Sequence, residues 1–147
     1  MGLRDKILHA KPEDLNIQPG SPNRVWGVVT DIALQNGSVC LVALIDGSAS
    51  LYYSTGGAIQ GAVGEDNIMN AATNYAIQCQ KFISNTKRTT VFPLPNPGEI
   101  TFYLLTTNAV YTVSAQKSDL ASGRNTLSPL FQAANNLISE FGKTSRK

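Results

Sequence analysis

The sequence has few of the residues that most often carry out chemistry in proteins. Its 147 residues include one histidine, His9, and two cysteines, Cys40 and Cys79. Metal sites need clusters of histidine, cysteine or carboxylate side chains, and neither cysteine has a second cysteine or a histidine at metal-ligand spacing. The single histidine lies in a polar N-terminal segment, where it is badly placed to activate a serine or cysteine nucleophile. The composition therefore predicts no metal site, no cofactor and no catalytic residues.

Long apolar runs and an excess of one charge are missing as well. No run approaches the ~18 apolar residues of a membrane-spanning helix, and the first residues, MGLRDKILHAK, carry charges where a signal peptide needs an apolar core. The net charge is +2, and basic residues do not interleave with the strand tyrosines Tyr52, Tyr53, Tyr103 and Tyr111. We therefore expect a cytoplasmic protein that binds neither membranes nor nucleic acids.

The apolar residues that are present suffice for one domain with a core. Their fraction, 42%, is ordinary for a globular protein. Residues 1–23 are polar and end in Pro-Gly-Ser-Pro, which predicts a loosely attached N-terminal arm. We place a single domain at residues 24–142 and a basic C-terminal tail at residues 143–147. Both cysteines fall in apolar periodic segments of this domain and are predicted to be small buried side chains rather than a disulfide.

Three strands are predicted in the first half of the domain. In Val25–Leu34 apolar residues alternate onto one face, which consists of Trp26, Val28, Ile32 and Leu34 with Thr30 among them. Residues 39–45 are apolar almost throughout, as is typical of a strand covered on both faces. Asn36-Gly37 and Asp46-Gly47 are tight-turn signals, so a third strand at residues 49–54 completes an antiparallel meander.

A helix, three more strands and a final helix follow. The helix near residues 67–84 places on one face Ile68, Ala72, Tyr75, Cys79, Phe82 and Ile83. Strands are expected at residues 89–94, 99–107 and 109–115, and the first should be a short edge strand because it meets Pro93, Pro95 and Pro97. The final helix, at residues 128–141, has Ser128 as its cap, Pro129 in its first turn and Gly142 as its stop.

This order, βββαβββα, predicts an α/β fold of the α+β type. Adjacent strands joined by tight turns form an antiparallel sheet, here of five or six strands. The apolar side of the sheet needs a cover, and the two main amphipathic helices supply it. The final helix carries the longest apolar stripe, which consists of Leu127, Leu130, Phe131, Ala134, Leu137, Ile138 and Phe141.

A glycine-rich passage between the meander and the first long helix is one candidate binding site. Its glycines are Gly56, Gly57, Gly61 and Gly64, and their spacing matches neither the G-x-G-x-x-G pattern nor a P-loop. Glu65 and Asp66 would also repel a phosphate at the helix start. Two interpretations stay open. The glycines either allow a flexible crossover from strand to helix, or they form a nest for a small ligand or anion.

Arg124 and Asn125, just ahead of the final helix, are the other candidate binding residues. An arginine near a helix N-terminus can bind a carboxylate or phosphate with two parallel hydrogen bonds. An arginine in such a loop can also hold its own loop in place through backbone carbonyls or a nearby aspartate. The remaining acidic residues of interest, Asp31, Asp46 and Asp119, are far apart in sequence and indicate no carboxylate pair.

The hairpin VCLVALIDGSASLYYSTGG, a helix, the strand group ITFYLLTTNAVYTVSA and a terminal helix together resemble the roadblock/longin group of profilin-like domains. In that group a strand pair precedes a helix, three antiparallel strands follow, and a last helix closes the sheet. The resemblance covers residues 39–141 and lies in the order of elements, so the strand Val25–Leu34 is additional. LYYSTGG, FYLLT and GRNTLSPLFQA are also similar to a set of bacterial proteins of no known function, which adds no mechanism.

The roadblock/longin resemblance implies a non-catalytic protein-interaction or regulatory module. Such domains typically dimerise and bind small GTPases or other regulators. We therefore expect a homodimer, formed through a sheet edge or a helix, and a protein partner, most specifically a Ras-like small GTPase. The alternative is a small-ligand sensor or enzyme, for an anion or nucleotide, that uses the loop of residues 56–64 and Arg124.

Overall fold

Seven strands and four α-helices make up the part of the chain that the structure, a computed structural model, describes: residues 3–15, 17, 24–35, 37–54, 58–60 and 66–144. The strands are β1 Val25–Leu34, β2 Gly37–Leu44, β3 Ala49–Tyr53, β4 Ala58–Gln60, β5 Lys87–Thr89, β6 Glu99–Thr106 and β7 Val110–Gln116. The helices are α1 Leu3–Leu8, α2 Asp66–Gln80, α3 Lys117–Ala121 and α4 Ser128–Thr144. Short 3-10 turns lie at Pro12–Leu15 and Ile83–Asn85.

The strands form one sheet in the order β4-β3-β2-β1-β6-β7-β5, and every neighbouring pair is antiparallel. The predicted fold class, an antiparallel α+β sheet with two main helices, is confirmed. The sheet has one strand more than the five or six expected because the glycine-rich passage contributes the three-residue β4, which pairs with β3. At the other edge, the strand predicted at residues 89–94 is short and at an edge as expected, but its bounds are wrong, because β5 is Lys87–Thr89. It ends before the prolines, which cannot donate to a strand ladder.

Two tight turns connect the first three strands, as the sequence predicts. The β1–β2 pairing extends to Leu34 opposite Gly37, so the first hairpin is present, although residue 36 lies outside the described residues. In the second turn Gly47 has a φ of 97°, a backbone conformation that favours glycine. Asp46 Oδ1 accepts the backbone N–H of Ser48 at 2.9 Å, which is the turn role expected for this aspartate.

Both long helices lie on the same face of the sheet and cover the larger core. The stripe predicted for α2 is confirmed through its four buried members, Ile68, Ala72, Tyr75 and Cys79. Phe82 and Ile83 follow the end of α2 and are only partly buried. The central strand β1 contributes Val28, Thr30 and Ile32 to this face, and the Thr30 and Tyr75 hydroxyls form a hydrogen bond inside the core.

Described residues of the N-terminal segment pack on the opposite face of the sheet, so this part of the segment is not the loosely attached arm that the sequence predicts. Leu8 and Ile17 are buried there in a second apolar cluster with Trp26, Val29 and Tyr103. The mostly polar composition of residues 1–23 hides the few apolar side chains that make this contact. Because burying an apolar side chain stabilises its position by about 1.5–3 kcal/mol, two such residues hold the segment firmly.

Trp26 does not lie on the face predicted for it. The pairing of β1 with β6 shifts register between Val25 and Gly27. A shift of this kind can turn a neighbouring side chain to the other face of the sheet. Trp26 therefore packs in the second cluster, while Val28 and the alternate residues after it face the long helices.

The final helix begins at Ser128 as predicted, but its cap and its end are different. The Ser128 hydroxyl donates to the Leu120 carbonyl at 2.9 Å instead of accepting a backbone N–H of its own helix. The first turn is closed by the Leu127 carbonyl, which accepts the N–H groups of Leu130 and Phe131. The helix also continues through position 142 to Thr144, and residues 145–147 of the expected tail lie outside the described residues.

Candidate functional site

The glycine-rich passage is only partly described. Gly56, Gly57, Gly61 and Gly64 all lie outside the described residues. Between them the backbone of β4 forms a strand, with Leu51 opposite residue 59. The passage is therefore not a simple crossover from β3 to α2, because it first adds an edge strand to the sheet. Whether its glycines bind an anion stays a prediction.

Arg124 and Asn125 have different surroundings although they are adjacent. Asn125 Oδ1 accepts the Leu127 N–H at 2.8 Å, and the Asn125 carbonyl accepts the Ser128 N–H at 3.0 Å, so this residue organises the start of α4. The Arg124 side chain is exposed, and only its backbone N–H is bonded, to Ser122 Oγ at 3.2 Å. Among the described residues nothing bonds to its guanidinium group, so the interpretation that Arg124 ties down its own loop has no support there.

An apolar groove opens where the ends of β1 and β3 meet α4. Its volume is about 320 Å³, and it is lined by Ile32, Leu34, Val39, Leu51, Tyr53, Lys117, Phe131, Asn135 and Ile138. Leu34 and Tyr53 are 44% and 38% exposed at its rim, although both are large and largely apolar. A concave apolar surface with exposed large side chains at its rim is a typical docking site.

One face of α4 forms a wall of this groove. Phe131, Asn135 and Ile138 are spaced by four and three residues, so they lie on one helix face. The sequence predicts a single apolar stripe on α4, but only part of it is fully buried: Leu127, Leu130, Ala134, Leu137 and Phe141. Phe131 and Ile138 are only half-buried, and they line the groove opposite strand residues such as Leu51.

A buried ion pair lies on the other face of the sheet, between α1 and β1. Arg4 Nε donates to Asp31 Oδ2 at 2.9 Å, and Arg4 Nη2 lies 2.7 Å from the same oxygen. Asp31 is 1% exposed. Arg4 Nη2 also donates to the Phe92 carbonyl at 2.8 Å, and the guanidinium carbon lies 5.6 Å from the centre of the Tyr103 ring. This one arginine therefore joins the N-terminal segment, the central strand and the loop after β5.

The pKa values of the two partners are both raised, but for different reasons. Burial raises the pKa of Asp31, and the hydrogen bond and positive charge of Arg4 offset only part of the rise. For Arg4, burial lowers the pKa, but the hydrogen bond and charge of Asp31 raise it to a net value above the ordinary one. Desolvation thus outweighs pairing at the carboxylate, which is the more deeply buried partner.

Both cysteines are buried free thiols, as predicted. Burial raises the pKa of Cys79 and of Cys40, and at Cys40 the neighbouring Asp31 charge raises it further. A protonated buried thiol is a poor nucleophile. Cys79 belongs to the core under the long helices and Cys40 to the cluster on the opposite face, so the sheet separates them.

The proline-rich loop, which we define as residues 91–98, lies on the same face as the ion pair. The Tyr103 hydroxyl donates to the Pro93 carbonyl at 2.8 Å. The Phe92 ring makes edge-to-face contacts with the rings of Tyr103 and His9, at 5.6 and 5.3 Å between centroids. A second cavity of about 380 Å³ lies beside this loop, and its lining includes five hydroxyl-bearing residues: Thr89, Thr101, Tyr103, Thr112 and Ser114.

Sequence reasoning missed the groove, the ion pair and the loop as sites. Arg4 and Asp31 are 27 residues apart, and no local pattern links an arginine of a polar segment to an aspartate of a strand. From the sequence, the prolines predict only that the strand before them is short. Leu34 was the one available signal for the groove, because an apolar residue directly before a tight hairpin turn lies at the end of the sheet.

The described part of the chain contains no group of three or more histidine, cysteine or carboxylate side chains that could hold a metal ion. None of the helices described is both long and apolar enough to cross a membrane. In comparisons with known proteins, no family model, no curated protein and no solved structure matches the chain.

Proposed function

We propose that this chain is a non-catalytic protein-interaction module of roadblock/longin type, whose apolar groove takes an apolar side chain of a partner protein. One observation carries the proposal: Leu34 and Tyr53 stay exposed at the rim of a concave apolar surface. Contiguous exposed apolar surface costs solubility, so a surface of this kind is most easily explained by a partner that covers it.

The family part of the proposal rests on the order of elements from β2 to α4. The antiparallel sheet and its two main helices agree with that order. The additional strand Val25–Leu34 is the central strand of the sheet and pairs with both β2 and β6. The resemblance covers residues 39–141 only, so this central strand is an addition of the present chain to the roadblock/longin order of elements.

The partner proposed most specifically is a Ras-like small GTPase, which is what the roadblock/longin resemblance implies. Lys117 lines the groove beside the apolar residues. A partner that presents an apolar side chain next to a carboxylate would therefore complement the groove in both shape and charge.

The direct test measures binding of the chain to a panel of Ras-like GTPases, each loaded with GDP or with a non-hydrolysable GTP analogue. We expect at least one GTPase to bind, and Leu34→Asp to weaken that binding at least tenfold because it places a charge in an apolar contact. The matched control is Ile77→Asp, since Ile77 is 47% exposed on α2 and lines neither cavity. Equal losses in both variants, or no binding at all, would contradict the proposal.

Self-association is tested separately by light scattering. We propose a homodimer, because the resemblance implies one and because exposed apolar surface favours association. The expected mass at tens of micromolar protein is that of two chains. A monomer mass over this concentration range would remove the dimer from the proposal and leave the GTPase test unaffected.

A further inference from the structure

We propose that the proline-rich loop is a docking segment for a second partner, a protein domain with an aromatic-lined groove that binds polyproline II helices. The loop lies on the sheet face opposite the apolar groove, since Phe92 packs with the cluster of Trp26 and Tyr103. This interaction surface is therefore independent of the proposed GTPase contact.

The sequence of the loop favours an extended or polyproline II backbone. Residues 92–97 read Phe-Pro-Leu-Pro-Asn-Pro, so proline alternates with another residue three times. Each proline ring fixes φ near −65°, and each residue before a proline is held in the extended or polyproline II region. All six residues are restricted in this way. The segment ends in a turn at Gly98, whose φ is 82°, and the N–H of Glu99 bonds to the Asn96 carbonyl at 3.0 Å.

Hydrogen bonds from the body of the protein hold the loop in place. Arg4 donates to the Phe92 carbonyl and Tyr103 to the Pro93 carbonyl, both at 2.8 Å. A polyproline II helix has no internal hydrogen bonds, so these external donors fix its position. A segment that is already ordered loses little conformational entropy on binding, which favours affinity.

Burial along the loop follows the three-residue period of a polyproline II helix. Phe92 and Pro95, three residues apart, are half-buried and lie on the edge that faces the protein. Leu94 and Pro97, also three residues apart, are exposed, with Leu94 at 57%. Leu94 and Pro97 therefore form an exposed apolar edge that a partner protein can contact.

The chemistry of this edge identifies the kind of partner. Proline rings and a leucine side chain pack against flat aromatic rings, which is how aromatic-lined grooves recognise such helices. The cavity beside Pro93, Leu94 and Pro95 leaves room for an aromatic side chain of the partner. Lys87 and Arg88 are exposed in β5, the strand that precedes the loop, so the partner's groove should have an acidic residue at its rim.

The test uses the full chain and a panel of recombinant SH3, WW and EVH1 domains as probes, with affinity measured by calorimetry. We expect at least one domain to bind. Leu94→Ser should lower that affinity roughly tenfold, because it removes the exposed apolar side chain that we place at the centre of the contact. Nuclear magnetic resonance should show the amide signals of Leu94, Asn96 and Gly98 shifting on addition of the domain.

The control variant is Ile77→Ser, which removes an exposed apolar side chain of similar size from α2 and should bind as the unaltered chain does. The proposal is overturned if no probe domain binds, if Leu94→Ser and Ile77→Ser bind equally well, or if the shifted signals lie outside the loop. Because Leu34 lines only the groove, Leu34→Asp separates failure of this proposal from failure of the GTPase proposal.

Discussion

Arg4 and Asp31 meet on a single carboxylate oxygen. Both nitrogens of Arg4 that approach Asp31 point to Oδ2, at 2.9 and 2.7 Å, so the pair lacks the two parallel hydrogen bonds of a fork-to-fork contact. Asp31 is almost completely buried, and one oxygen cannot recover the full cost of removing the carboxylate from water. The second nitrogen of Arg4 is shared with the loop carbonyl of Phe92, which explains why the contact is one-sided.

Removing Arg4 should destabilise the protein strongly. Arg4→Met keeps most of the apolar stem but leaves Asp31 as an unpaired buried charge, and breaking such a pair typically costs about 3–5 kcal/mol. Urea unfolding at neutral pH measures the change in the free energy of unfolding. Lys6→Met is the control, because Lys6 is an exposed cation of the same helix and should change stability by less than about 0.5 kcal/mol. Similar values for both variants would contradict a structural role for the pair.

Stability should depend on pH through Asp31 in a defined direction. Because burial raises the pKa of Asp31 above its ordinary value of 3.8, the folded protein holds the Asp31 proton at pH values where the unfolded chain has lost it. The stability contributed by this proton is complete below pH 3.8 and is lost as the pH rises through the folded pKa. Unfolding in urea across a pH series, compared with Asp31→Asn, isolates this effect because the other carboxylates cancel in the difference.

The pH dependence of the stability difference between the unaltered protein and Asp31→Asn shows whether burial or the attraction of Arg4 dominates the Asp31 pKa. We expect the unaltered protein to lose stability relative to Asp31→Asn as the pH rises from 3.8 towards neutrality. If it gains stability instead, the attraction of Arg4 lowers the Asp31 pKa and outweighs burial.

Most of the fold can be predicted from the sequence because its signals are local. Alternation and tight turns indicate β1 to β3, and helical periodicity indicates α2 and α4. For these five elements the predicted bounds hold to within a few positions, whereas the edge strand predicted at residues 89–94 forms at Lys87–Thr89 and α3 is not predicted. The local signals do not reveal β4, whose three residues lie among glycines, and they cannot detect the register shift beside Trp26, which depends on the pairing of β1 with the distant β6.

The candidate sites are less predictable because they depend on contacts between distant segments. Arg4 bonds to a strand residue 27 positions away and to a loop residue 88 positions away, and no periodic pattern in the sequence indicates contacts over such separations. The apolar groove is equally hard to predict, since its lining residues come from three strands, α3 and α4, which only the folded chain brings together. Arg124 is a candidate because of its residue type and its position ahead of the final helix, and the structure separates it from Asn125, whose side chain accepts the Leu127 N–H at the start of α4.

Arg124 and Asn125 should respond differently to truncation. Asn125→Ala removes the side-chain acceptor of the Leu127 N–H at the start of α4, and loss of such a cap costs about 1 kcal/mol. Arg124→Ala removes an exposed side chain and should change the free energy of unfolding by less than about 0.5 kcal/mol. Urea unfolding of the two single variants measures both. A cost at Arg124 as large as at Asn125 would restore the interpretation that Arg124 holds its loop.

Arg124 also allows a test against the small-ligand alternative. Thermal unfolding with a panel of nucleotides, phosphosugars and carboxylates should show no shift if the chain is an interaction module. A ligand present at ~100 times its dissociation constant would instead add about 2.7 kcal/mol to the free energy of unfolding. A clear shift that disappears in Arg124→Ala would replace the proposed function with a ligand sensor.

The two thiols should be unreactive in the folded protein. Cys40 and Cys79 are buried, and burial raises the pKa of each well above its ordinary value, so the thiolate that reacts with disulfide reagents is scarce at neutral pH. With an aromatic disulfide reagent at pH 7, we expect no rapid release of the chromophore from the native chain and two equivalents from the chain unfolded in urea. Cys40→Ala and Cys79→Ala, each measured alone, assign any slow reaction to one position. Rapid release from the native protein at Cys40 would mean that the N-terminal segment opens and exposes the cluster beneath it, which the ion pair between Arg4 and Asp31 is expected to prevent.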